Sequence, residues 1–310
     1  MTRRGAALFA AMSVIWGVPY LFIKVADRGL HPAVIVSGRT LIGALVLLPL
    51  AARARAIRPV LPGWRWLVLF AVVEMALPWY LLTDAERHLT SSLTGLLVAA
   101  VPLVGALLAV VFGHDDRITG TRALGLLVGL LGVVALLGVD LDLGGAGWWP
   151  VVEVLVVALC YATGPVILAR RLAGLPGLGV SALSLSVAAA IYLVPGIVQW
   201  PTGSVPASAW WSVLVLGLVC TALAFVLFYD LIAEIGPTRA TVITYLNPAV
   251  ALLLGVLVLD EQPTVGMLVG FPLVLLGSVL ATRGPRRTTA ATDAPAAATG
   301  QGEVASSASP

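Results

Sequence analysis

Charge is what this sequence has least of. Aspartate, glutamate, lysine and arginine together make up 11% of its 310 residues, against about a quarter in soluble domains. No run of polar surface is long enough to enclose one water-soluble domain, let alone two. Cysteine is nearly absent as well. Cys160 and Cys220 both sit inside apolar runs, which excludes a disulfide framework and leaves no Cys/His metal set. Three histidines, His31, His88 and His114, lie far apart, so the paired ligands or bases of a membrane enzyme are missing. The basic residues are 17 arginines and the lone Lys24, scattered between apolar segments; a nucleic-acid binder would gather them on one face. No G-x-x-x-x-G-K-[ST] phosphate loop occurs, which removes nucleotide-driven pumping. Nothing in the sequence asks for a cofactor or a metal, and an enzyme is not expected.

Hydrophobicity is what remains: 60% of residues are apolar and the mean hydropathy is +1.03. A spanning helix needs roughly 20 mostly apolar residues. Ten such runs are predicted, at 6–26, 33–52, 66–83, 93–112, 123–139, 149–169, 178–198, 209–229, 240–259 and 265–281. A barrel would need strands alternating polar and apolar, whereas these runs are apolar all round. The expected fold is therefore an all-α integral membrane protein of ten transmembrane helices. The first run follows Arg3 and Arg4 but lacks an A-x-A end, so it is read as a span rather than a cleaved leader. With the N-terminus inside, fourteen arginines collect on the inner side, while Lys24, Arg28 and Arg87 fall outside. Cytoplasmic loops hold the Lys/Arg excess, which places both termini in the cytoplasm of a multi-pass protein of the plasma or inner membrane. Trp148, Trp149, Trp200, Trp210 and Trp211 fall at span edges, where amphipathic rings anchor. The Ala/Thr/Ser-rich segment 284–310 reads as a disordered cytoplasmic tail.

The halves repeat. An offset of 146 takes Trp64 to Trp210, Asp84 to Asp230 and Pro102 to Pro248. An offset of 145 takes Trp16 to Tyr161, Asp116 to Glu261, Gly125 to Gly270 and Gly132 to Gly277. Five helices per unit, 1–142 and 143–283, is an odd number, so consecutive units enter the membrane from opposite sides. That is the inverted repeat of many secondary transporters, and it favours alternating access over the static pore of a channel. The glycines, including Gly129 and Gly266, give small faces for helix packing. Asp116 and Glu261 are expected to cap the fifth and tenth helices, which they precede.

The segment WGVPYLFIKVADRGLHPAVIVSGRT from Trp16 to Thr40 resembles the opening signature of EamA-type transporters in the drug/metabolite transporter superfamily. Pro102 and Pro248, then Asp116 and Glu261 with their glycines, resemble the closing signature of each repeat. The first repeat ends in His114-Asp115-Asp116 where a glutamate is usual. The resemblance covers about residues 6–283 and implies a ten-helix carrier, often an exporter of amino acids, metabolites or toxic compounds, with a cavity lined by both halves. A passive facilitator is the alternative.

An ionisable group inside a span costs roughly 2.5–3.5 kcal/mol on insertion scales, so each asks for a partner or a use. Glu74 lies midway along the third helix, and its repeat equivalent is Cys220; that asymmetry marks it for substrate-amine binding or proton coupling, against a buried structural pairing. Arg39 could hold a substrate carboxylate, bridge helices or pair with Glu74. Lys24 could snorkel to headgroups or stand at a cavity mouth, and Glu153 suits a helix start. Trp16 and Tyr161, Trp79 and Tyr80 behind Pro78, and Tyr245 and Asn247 before Pro248 complete the candidate lining. The expected partners are the lipid bilayer, a small-molecule substrate and protons; a homo-oligomer is compatible with the sequence, and a nucleic acid is not.

Overall fold

The computed structural model describes residues 2–111, 120–138 and 147–282. Asp116 and the segment 284–310 lie outside the described residues. Ten apolar helices carry the chain: α1 Arg3–Ala26, α2 Pro32–Arg53, α3 Leu61–Ala85, α4 Ser91–Val111, α5 Gly120–Leu137, α6 Trp149–Arg171, α7 Gly177–Val198, α8 Ala207–Ile235, the shorter α9 Ile243–Leu259, and α10 Val265–Thr282. No strand occurs among the described residues. Nine of the ten are long enough to cross a bilayer, and α9 has 17 residues, about 26 Å at 1.5 Å per residue. Their outward faces carry Leu45, Val198 and Leu257 at 63%, 72% and 74% exposure. Such a coat would aggregate in water; in hydrocarbon it is the solvent-compatible surface, and the backbone polar groups are satisfied within each helix. The chain is a multi-pass membrane protein.

Local chemistry sets the ends and the breaks. α2 starts where His31 Nδ1 accepts from the Ala33 amide at 3.3 Å and Pro32 occupies the first turn, a position that needs no N–H. α4 starts where Thr90 Oγ1 accepts from the Leu93 amide at 3.1 Å. α1 is interrupted at Trp16–Val18, just before Pro19. α4 is interrupted at Ala99 and Ala100, just before Pro102. α3 and α8 each contain a π-helical turn, at Val72–Ala76 and at Leu218–Leu223, which stand at the same place under the 146 offset. Such bulges free backbone groups and turn side chains out of helical register.

The helices pair across the halves, and small residues let them close. In α5 and α10 a Cβ on Gly132 would lie 2.6 Å from the Val274 amide, one on Gly270 would lie 2.7 Å from the Gly132 carbonyl, and one on Gly266 would lie 2.6 Å from the Ala135 carbonyl. Ascending positions on one helix meet descending positions on the other, so the pair is antiparallel. α4 packs antiparallel on α9 through Gly95 against Ala251. α2 packs antiparallel on α7, with Gly43 against Leu185 and Gly196 against Ser37. α1 meets α8 with Gly5 against Ile235, Gly29 beyond the end of α1 stands against Pro206 just before α8, and α3 meets α6 with Gly164 against Glu74. The bundle thus has a near end, carrying Arg3, the α2–α3 connection and the end of α8, and a far end, carrying the α1–α2, α3–α4 and α9–α10 connections.

The α5–α10 seam leaves no room for a side chain. Gly277→Leu is expected to lower the detergent-solubilised melting temperature, at an overpacking cost of at least about 1–3 kcal/mol, whereas Gly203→Ala, which meets nothing within 4 Å, leaves it unchanged. Equal melting of the two variants would show that the seam is not closely packed.

Candidate functional site

Half-way along the bundle, the two π-turns face one another's neighbours. On one side, Arg39 of α2 is buried, and its Nε donates to Thr221 Oγ1, on the α8 turn, at 3.0 Å. Its guanidinium carbon stands 3.7 Å from the centroid of the Trp79 ring, a desolvated cation–π contact of about 2 kcal/mol. No ion pair joins Arg39 to Glu74 or to any other acid among the described residues. Of its five N–H donors, one is used by the protein.

On the other side, the α3 turn carries Glu74, whose side chain presses on Gly164 of α6. Its Oε2 is buried and has no hydrogen-bond partner. Tyr161 of α6 lies within electrostatic reach of both Glu74 and Arg39, and Trp79 reaches its hydroxyl. Thr221, Arg39, Trp79, Tyr161 and Glu74 thereby form one chain of contacts drawn from α8, α2, α3 and α6. Cys160 lies within electrostatic reach of Glu74, and Cys220 within reach of Arg39. Chemically, the arrangement offers anion-binding donors at one point and an unpartnered carboxyl at another.

The remaining sequence candidates are distributed more widely. Trp16 packs on Phe228 at 4.7 Å and edge-on to Phe225 at 6.3 Å; Phe225 is the 146-offset counterpart of Trp79, so this contact mirrors the one at Tyr161. Tyr80 stacks on Tyr192 at 5.6 Å, and the Tyr192 hydroxyl donates to the Ala76 carbonyl of the π-turn at 3.0 Å. Asn247, with its amide oriented by its hydrogen bonds, donates to the carbonyls of Ser13 at 3.1 Å and Ile243 at 2.9 Å. It ties α9 to α1, and Tyr245 is half-buried on the same helix. Lys24, expected at the headgroups or a cavity mouth, donates instead to the backbone carbonyls of Glu86 and Leu89. Carbonyls at a helix C-terminus lack intrahelical donors and carry partial negative charge. An apolar crevice of about 570 Å³ opens between α2, α7 and α8 beside Ser37, Gly196, Trp200 and Trp210, and none of the candidate residues lines it.

Glu261 corrects an expectation. It does cap a helix, but the helix is α4 rather than α10. Its carboxylate accepts from the Ser91 amide at 2.8 Å and from the Ser92 amide at 2.9 Å. The cause is local: Asp260 adopts a left-handed φ of 56° at the end of α9, which ends the helix and turns the next residue towards its antiparallel neighbour.

Glu86 is a further buried acid that no sequence pattern marks. It lies one residue beyond α3, is fully buried and leaves both carboxyl oxygens without partners. The only sequence signal is an acid directly after an apolar span, which ordinarily marks solvent. Burial pushes its carboxyl well above the usual range, with Lys24 opposing and Glu261 adding to the shift. A carboxyl raised in the folded state contributes stability that is complete below its unfolded pKa and is lost as pH rises through the folded one. Glu86→Gln, which needs no proton, should therefore melt with the wild type near about pH 4 and at least about 2 °C higher near about pH 8. A constant difference across that window would contradict the burial of this group.

The sequence profile of the EamA-like transporter family matches residues 3–138 and 148–283, two copies in one chain. The chain is 28% identical over 274 residues to a protein of Streptantibioticus cattleyicolor named a probable terminal-alkyne amino-acid exporter, covering 87% of this chain and 90% of that one. It is 26% identical to the inner membrane transporter YedA of Escherichia coli over 80% of both chains. It is 24% identical to the transporter YoaV of Bacillus subtilis over 88% of this chain and 94% of that one. A solved structure superimposes with a TM-score of 0.63 over 91% of this chain and 97% of its own, at 21% identity, a likeness of fold. With the family profile matched in both halves and transporters among the relatives across most of the length, the chain belongs to the EamA-like transporter family.

Proposed function

We propose that the protein is a secondary carrier that exports or exchanges small zwitterionic, amino-acid-like metabolites by alternating access, with Arg39 reading the carboxylate and Glu74 reading the amine or carrying a coupling proton. The observation that carries this reading is that Arg39 and Glu74 are both buried inside the bundle within electrostatic reach of the same Tyr161, the one with unused donors and the other with an unpartnered oxygen. Charges held in hydrocarbon without counter-ions are kept where a substrate or an ion supplies the partner. The Streptantibioticus relative, named a probable terminal-alkyne amino-acid exporter, points to the same substrate class.

Two units of opposite orientation, 1–142 and 143–283, with cytoplasmic termini, suit this mechanism. The antiparallel packing of α5 on α10, α4 on α9 and α2 on α7 supports it, since helices at equivalent positions of an inverted pair must run in opposite directions. In one conformation the first unit adopts the shape of the second, and exchanging the two shapes moves the site's access from one face to the other. The π-turns in α3 and α8 are the natural places for the backbone to yield, because their hydrogen bonding is already irregular.

The test is uptake and counterflow in proteoliposomes, comparing neutral amino acids with their decarboxylated amines and N-acylated acids. Zwitterions should compete best. Arg39→Gln should weaken them by about 30-fold or more while sparing the amines, and Glu74→Gln should weaken them similarly while sparing the N-acylated acids. Equal competition by all three classes, or variants that shift all classes together, would sink the zwitterion reading.

A further inference from the structure

At the near end, where α2 joins α3 and α6 joins α7, the chain offers arginines and no acids. No aspartate or glutamate occurs between Asp27 and Glu74, or between Glu153 and Asp230. The two connections lie against one another. Ala56, Val60 and Leu172 share one buried cluster, and a Cβ on Gly63 would lie 3.6 Å from the Leu172 side chain. Arg55, Arg58, Arg65 and Arg171 stand on this joined face, all exposed, and none of them forms an ion pair among the described residues.

Two of these arginines occupy positions that local chemistry disfavours. Arg55 has a left-handed φ of 54° just past α2. Its amide donates to the Ala52 carbonyl at 3.0 Å and the Ala56 amide to the Ala51 carbonyl at 2.8 Å, the helix-ending turn in which glycine is the usual residue. A side chain there is strained, and such strain is kept where the side chain has a use. Arg65 lies in the opening turns of α3, where a cation opposes the positive helix start, and the first turn holds no acid to offset it. Helix dipoles explain Arg53, Arg170 and Arg171, each in the last turn of its helix. They do not explain Arg55 or Arg65.

The surroundings place this charge at a lipid surface. The Arg171 guanidinium carbon stands 4.3 Å from the centroid of the Trp66 ring, a contact that joins the end of α6 to the start of α3. A guanidinium held on a ring face keeps its forked N–H donors for a phosphate. Trp64 and Trp66 are 56% and 39% exposed, and such rings settle at the headgroup level. About one turn deeper along the same two helices, Leu69 and Leu168 are exposed as part of the hydrocarbon-facing coat. Cationic face and apolar surface are therefore continuous.

We infer that this face is a binding site for an anionic phospholipid, with Arg65 and Arg171 engaging the phosphate beside Trp66, Arg55 and Arg58 adding charge, and the acyl chains running down the α3–α6 surface. A soluble anion matches the charge alone, whereas a lipid matches both the charge and the apolar floor beneath it. Orientation of the chain in the membrane needs only that arginines stand at one end; it does not need them in a strained turn or at a helix start. The site does not depend on the carrier reading.

The experiment is native mass spectrometry of the purified, delipidated protein, titrated with phosphatidylglycerol or with phosphatidylcholine of the same chains, and with inorganic phosphate as competitor. Phosphatidylglycerol is expected to bind at least about tenfold tighter than phosphatidylcholine, and Arg65→Gln and Arg171→Gln each to weaken it by about fivefold. Arg3→Gln removes one charge from the same end, at the start of α1 beside α8, and should change binding by less than about twofold. Arg55→Gly separates the site from the fold. Glycine suits the left-handed turn, so this variant should melt no lower than the wild type without lipid and yet bind phosphatidylglycerol more weakly, which reads the site even where a glutamine variant unfolds. Equal binding of the two lipids, an equal loss in Arg3→Gln, binding unaltered in Arg55→Gly, or displacement of the lipid by equimolar inorganic phosphate would overturn the proposal.

Discussion

A guanidinium buried at mid-span with no carboxylate beside it is the interaction around which the site is arranged. Placing Arg39 there is costly, and the surroundings meet that cost with neutral means: one hydroxyl from α8 and the face of Trp79. Both partners depend on distant features. Thr221 is offered by the π-turn in α8, and Trp79 follows the π-turn and Pro78 in α3. The two halves are thus joined at their centre by a contact that leaves most of the cation's donors unused, and Glu74 opposite leaves an acceptor unused.

Close packing elsewhere makes this arrangement tolerable. In a bilayer, helices gain little from hydrophobic burial against one another, so contact must come from shape. The glycines of α5 and α10 supply it on one flank, where a Cβ would strike the neighbouring backbone, and small residues of α2 and α7 supply it on the other. With these two seams closed, the polar interior runs through α2, α3, α6 and α8. The far end then adds polar ties that a lipid-facing surface could not hold: Lys24 on the α3 terminus, Glu261 on the start of α4, and the acids around Arg87.

Much of this was legible in the sequence because hydrocarbon imposes strict rules. Span lengths, the small-residue seams and the doubled spacing are one-dimensional patterns, and the predicted runs agree with the observed helices to within a few residues at most ends. Arg39, Glu74, Tyr161 and Trp79 could be named from burial cost and repeat position. Their grouping could not, because it depends on two π-turns for which the sequence carries no reliable mark. The destination of Glu261 was missed for a similar reason: an acid before a helix suggests that helix, and only the left-handed Asp260 redirects it. Lys24 and Asn247 look like lining in the sequence because a polar atom in a span asks for a partner. The partners are backbone carbonyls, which no side-chain pattern reveals. Glu86 is not legible in the sequence, since a position just past a span implies water.

The two native cysteines allow the most direct test of access to the Arg39–Glu74 region from both sides. Cys220 neighbours Arg39 and is 1% exposed. In a Cys160→Ala background, its labelling by a membrane-impermeant thiol reagent can be followed in vesicles of each orientation, with and without a neutral amino acid. Alternating access predicts labelling from both faces, slowed in both cases by the amino acid. Labelling from one face alone, or at a rate that the amino acid leaves unchanged, would contradict a carrier whose substrate binds between the two π-turns.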